Sequence, residues 1–176
     1  MTRFSLKSVS LFWLIIFNSF FSQTHAHLID DNLGTLNITD DGAYLVISLP
    51  IEFFKTINED WFSIQAINNH RNEIFEIVKR NITFSNSKRK FGLSGLMLSI
   101  ETAHKKEMSL PKNLVILGRF ESNRDGRFLK FENNLFCETC ETNVIKMRVT
   151  DKKKAFIDTF DLTPESHYFE IPVKAL

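Results

Sequence analysis

Apolar residues recur at every second position over much of this chain. Leu36 and Ile38 alternate with Thr35, Asn37 and Thr39, and Leu45, Ile47 and Leu49 alternate with Tyr44, Val46 and Ser48. Between them lies Asp40-Asp41-Gly42, so the two runs predict a hairpin whose glycine takes up the positive φ of the connection. Pro50 is expected to end the second strand. The same period predicts strands over Leu93–Thr102, Asn113–Glu121, Phe128–Phe136, Asn143–Thr150, Ala155–Leu162 and His167–Pro172. Asn123-Arg124-Asp125-Gly126 and Asp151-Lys152-Lys153-Lys154 read as turns, and Asn86–Lys90 and Thr102–Lys112 as polar loops.

One segment departs from this pattern. Between Ser63 and Arg80 the apolar residues Ile64, Ile67, Ile74, Phe75 and Val78 fall at helical spacing. Ser63 suits an N-cap, and Lys79-Arg80 suit the negative end of the helix dipole. Arg71 falls in the middle of that stripe. It is expected either to pair inside the fold or, more simply, to snorkel past the sheet edge. Together these elements predict a mainly β fold, an immunoglobulin-like β-sandwich of seven or eight strands with one inserted α-helix at about 63–80.

The N-terminus has a separate character. Arg3 and Lys7 precede the apolar run Leu11–Phe17, which Phe20-Phe21 extend, and Ser22-Gln23-Thr24-His25-Ala26 follows with small residues at Thr24 and Ala26. These are the three parts of a secretory signal, with cleavage after Ala26. The apolar stretch covers about eleven residues, against roughly 20 needed to span a bilayer. The expected organisation is therefore a signal peptide over 1–26 and a single domain over 27–176. The expected location is outside the cytoplasm, in the periplasm of a Gram-negative bacterium.

Removing Arg3 and Lys7 leaves 20 basic residues against 21 acidic ones. A near-neutral surface offers no electrostatic case for nucleic acid or an anionic membrane. No later apolar run approaches a membrane span, because charges interrupt each one.

Two small constellations could carry chemistry. Cleavage after Ala26 would give His27 a free α-amine, and amine plus imidazole nitrogens suit copper or nickel. His70, His104 and His167 are the candidates for a second ligand. The other constellation is Cys137-Glu138-Thr139-Cys140. In an exported chain this spacing points to a disulfide, and a dithiol site for a metal such as zinc is the alternative. A thioredoxin-like role needs the motif at a helix N-terminus, whereas here it lies among strands. Hydrolase, nucleotide and metalloprotease signatures do not occur, so no enzymatic activity is expected.

The stretches His25-Ala26-His27-Leu28, Gly34-Thr35-Leu36-Asn37-Ile38 and Asp41–Pro50, continued by Gly95–Ser99 and Leu117–Phe120, resemble an uncharacterised family of bacterial exported proteins. The resemblance implies a genomic setting beside membrane proteins similar to the HupE/UreJ hydrogenase and urease accessory type. It thus implies a non-catalytic accessory to a membrane transport or metal-handling system; the alternative is a small copper-, nickel- or zinc-binding protein using His27. Many relatives carry an EF-hand-like calcium loop before the helix. At the corresponding place here, Ile57–Ala66, the loop is shortened, its glycine is missing, and Ala66 replaces the closing glutamate. Calcium needs that bidentate carboxylate to complete six to eight oxygens, so calcium is not expected. Cys137 and Cys140 stand outside the family pattern.

Overall fold

The computed structural model describes residues 33–55, 57–61, 63–105, 108–121, 128–137, 143–152 and 155–172. The chain divides into two compact units, 1–30 and 31–176, and all described residues belong to the second. They form ten strands and three short helices, in the order β1 (Leu33–Thr39), β2 (Gly42–Pro50), α1 (Glu52–Lys55), α2 (Ile64–Asn69), α3 (Arg71–Asn81), β3 (Ile82–Asn86), β4 (Lys90–Phe91), β5 (Leu93–Lys105), β6 (Met108–Phe120), β7 (Phe128–Asn133), β8 (Ile145–Thr150), β9 (Phe156–Leu162) and β10 (Tyr168–Pro172).

Two sheets result, ordered β5-β6-β2-β1-β8-β9 and β10-β7-β3-β4. The alternation read from the sequence decides which side chains meet. Leu36, Ile38, Leu45, Ile47, Leu49, Leu114, Ile116, Ile145, Met147 and Val149 of the larger sheet are buried, as are Ile82, Phe84, Leu129, Phe131, Phe169 and Ile171 of the smaller. Phenylalanine rings join the layers. Phe120 of β6 lies 5.4 Å from Phe84 of β3 and 6.4 Å from Phe131 of β7, centroid to centroid. The mainly β sandwich expected from the sequence is the fold observed.

Several local expectations need correction. Among the described residues the strands number ten because β3 and β4 were not anticipated. The predicted Thr102–Lys112 loop instead extends the β5–β6 hairpin, with Thr102 opposite Pro111 and Ala103 opposite Leu110. Every described pairing is antiparallel except that of β1 with β8, which is parallel. The β1–β2 hairpin does form around Asp40-Asp41, closed by Thr39 opposite Gly42. Gly42, however, does not have a positive φ. Glycine is needed there for another reason: a Cβ would collide with the carbonyl oxygen of Phe120 on the neighbouring strand. The turn predicted at Asn123–Gly126 lies outside the described residues.

The inserted helix is also not continuous. It breaks at His70, whose φ of −102° and ψ of 18° make it the C-cap of α2 and the N-cap of α3. Ser63 does cap α2, its Oγ accepting from the amide of Ala66 at 3.0 Å. Ile67, Ile74 and Val78 are fully buried, yet Arg71 between them is exposed, with Nη2 donating to Asn68 Oδ1 at 3.2 Å. Arg71 therefore does not pair inside the fold; its side chain stands at the surface beside the helix break.

Candidate functional site

The segment that departs from the strand pattern also builds a groove. After α1 the chain makes a tight turn, with the amides of Ile57 and Asn58 both donating to the Phe54 carbonyl at 3.0 and 3.1 Å. Asn58 Oδ1 accepts from the Asp60 amide at 2.9 Å, and the Trp61 amide donates to the Asn58 carbonyl at 3.4 Å. These bonds hold a compact Asx turn that delivers the Trp61 ring inward. Trp61 is only 2% exposed and stacks on His70, with ring centroids 5.7 Å apart and planes 28° apart. His70 Nδ1 in turn lies 2.9 Å from Glu73 Oε1.

Between this turn and α3 lies a groove of about 480 Å³, lined by Ile57, Asn58 and Trp61 on one side and by Asn72, Glu73, Glu76, Ile77 and Arg80 on the other. The α3 residues share a face because they are spaced three and four apart. Ile57 is 47% exposed, an apolar side chain left open to solvent. The indole Nε1–H of Trp61 is buried and has no hydrogen-bond partner. A buried donor left unmade costs roughly 1–3 kcal/mol, so it is the least satisfied group of the groove. Glu76 is held below the usual carboxylate range by its hydrogen bond from Lys79 at 2.7 Å and by the charge of that lysine, and stays ionised. The groove therefore presents an apolar patch, two side-chain amides and charges of both signs, while the unpartnered indole N–H of Trp61 is buried.

Among the described residues singled out by sequence, His70 and His167 make separate contacts. His70 supports Trp61 from behind and pairs with Glu73. His167, just before β10, faces Glu132 of β7, with Nε2 3.8 Å from Oε1. His104 lies on β5 opposite Ser109, and its side chain is outside the described set. His27 and Cys140 also lie outside the described residues. Among the described residues, no three His, Cys, Asp or Glu side chains converge as a metal shell would require. Arg71 is a surface residue at the helix break.

Cys137 is 2% exposed and is not a free cysteine. Asn143 clamps its backbone, with Oδ1 accepting from the Cys137 amide at 3.0 Å and Nδ2 donating to its carbonyl. In the turn before α2, Asn58 Oδ1 and Ser63 Oγ are both taken by backbone amides.

Trp61 is the functional candidate that sequence reading missed. Its signal was an aromatic placed in a polar turn, directly after Glu59-Asp60. Compared with known proteins, the chain matches no family model and no curated protein. No helix among the described residues is long and apolar enough to cross a membrane.

Proposed function

We propose that this is an exported protein, cleaved after Ala26, that acts in the periplasm as a non-catalytic accessory to a membrane transport or metal-handling system. Its task is to bind a partner polypeptide, and the groove beside Trp61 is the binding site. The observation that carries this reading is the exposed Ile57 in a groove lined by side-chain amides and by charges of both signs. An extended peptide segment supplies what such a groove lacks, an apolar side chain to cover Ile57 and Ile77 and backbone polar groups for Asn58 and Asn72. A membrane protein similar to the HupE/UreJ type is the proposed source of that segment, on the strength of the sequence resemblance alone.

The chain supplies its own probe. Its two tryptophans are Trp13 and Trp61, so cleavage after Ala26 leaves Trp61 as the sole indole. Titrating the processed protein with peptides copied from the exported loops of such a membrane protein is expected to shift Trp61 emission saturably. Ile57→Lys is expected to weaken that binding. A flat titration with every loop peptide would overturn the reading. Export itself is tested by fractionating a Gram-negative host: the periplasmic fraction is expected to contain protein whose first residue is His27.

A further inference from the structure

A second surface is marked by backbone rather than by side chains. The larger sheet ends in β5 on one side and β9 on the other. An edge strand carries a row of amides and carbonyls that can pair with another chain, and proteins commonly guard such edges with charges or kinks. The two edges here are guarded unequally.

Strand β9 carries Asp158 and Asp161, and the Asp158 carboxylate accepts from the amide of Thr159 at 2.7 Å. That edge places negative charge and a side-chain acceptor in its own ladder. Strand β5 is thirteen residues long, and from Leu93 to Ile100 it contains no charged residue and no proline. Among the described residues its only ladder partner is β6. Helix α3 and strand β3 contact it without adding to that ladder.

Irregularities delimit the open part. The β5–β6 register shifts between Ser94 and Met97, where Gly95 has a φ of +60°, and again between Glu101 and Thr102. Bulges of this kind bend a strand and interrupt pairing. Met97–Glu101 is therefore the uninterrupted window. Within it Leu98 is buried and Ile100 half-buried, whereas Met97, at 64% exposure, and Ser99 stand in solvent.

We infer that the Met97–Glu101 edge of β5 pairs antiparallel with the same edge of a second copy of this chain, about a two-fold axis at Ser99. The self-match carries the choice of occupant. With Ser99 opposite Ser99, Leu98 of one copy faces Ile100 of the other and continues the buried layer. Met97 faces Glu101, so like charges never oppose each other. Glu101 is also already engaged by Asn113 Nδ2, at 2.9 Å, on its own β6. An isologous contact of this kind closes on itself and leaves no new edge for further growth at β5. The two six-stranded sheets become one continuous sheet.

Sedimentation of the protein purified from an exporting host, across a concentration series, tests this. The wild type is expected to pass from monomer to dimer as concentration rises. Ser99→Lys and Ser99→Glu alter an exposed side chain, so both should fold, as circular dichroism would verify. Each alone sets like charges opposite on the axis and is expected to weaken dimerisation by about fivefold or more. Mixed in equal amounts, the two variants should pair with each other and recover the dimer. A wild type that stays monomeric at every concentration overturns the inference and leaves the edge to a different chain. Dimers of Ser99→Lys as tight as the wild type also overturn it, because association then uses another surface.

Discussion

The rings of Phe160 and Phe169 are stacked, with planes 3° apart and centroids 4.2 Å apart. One belongs to β9 at the edge of the larger sheet and the other to β10 at the edge of the smaller, so this stack joins the two layers at that end. Phe169 is buried and also stacks on Phe131, at 5.3 Å. Phe169→Ala is expected to lower stability by about 3–5 kcal/mol, in the range of large-to-small core changes. A double-mutant cycle with Phe160→Ala, followed by urea unfolding, should show a coupling of about 0.5–1.5 kcal/mol. Additive effects would mean that the stack contributes nothing beyond burial.

Two glycines separate steric need from conformational need. At Gly42 a methyl group would run into the Phe120 carbonyl, whereas at Gly92 there is nothing within 4 Å of the added carbon. Gly42→Ala should therefore cost about 1–3 kcal/mol, through displacement of the β2–β6 pairing. Gly92→Ala should stay within about 0.5 kcal/mol of the parent. Equal unfolding midpoints for the two variants would contradict the assigned role of Gly42.

Acid should weaken the fold through identifiable carboxylates. Thr39 donates to Asp41 at 2.6 Å and, with the nearby Arg119 guanidinium, holds Asp41 below its ordinary value. Glu132 is also lowered: burial pushes it up, but hydrogen bonds from Lys130 and Asn134 and the charges of Lys130 and His167 outweigh that. A carboxyl group lowered in the folded state binds fewer protons there than when unfolded. Its contribution is complete above about pH 5 and is lost as pH falls through the lowered value. The urea midpoint should fall between about pH 6 and about pH 3. Glu132→Gln should reduce that fall while lowering the midpoint at about pH 6.

Metal titration distinguishes the groove reading from an N-terminal chelate. Protein beginning at His27 and a version with one extra residue before it are expected to bind copper and nickel equally weakly. A tight stoichiometric site lost on adding the extra residue would favour chelation by the His27 amine and imidazole.

The strands that bury one face were legible because a period of two survives translation into structure wherever one side meets the core. Leu36 and Ile38, and Ile145, Met147 and Val149, are buried as their alternation implied. Strand β3 was missed because Ile82 follows Asn81 of α3 directly, with no glycine or proline to mark the change. The break at His70 was hidden because Ile67, Ile74 and Val78 also fit one continuous helix. What distinguishes the broken form is Trp61 packing on His70, a contact between separate elements. The candidate site followed the same rule. The indole was visible in the sequence, but its lack of an acceptor depends on how the turn and α3 come together.

The parallel pairing of β1 with β8 bears on the order in which the chain can assemble. Thr150 Oγ1 donates to Asn37 Oδ1 across a separation of 113 residues, and Leu33 lies opposite Lys146. A polypeptide emerging from a ribosome N-terminus first can close the β1–β2 hairpin early, but one flank of β1 must wait until nearly the whole chain is out. Such long-range closure is entropically slow. The larger sheet therefore stays open through most of synthesis, and its centre closes only once Ile145–Thr150 has emerged.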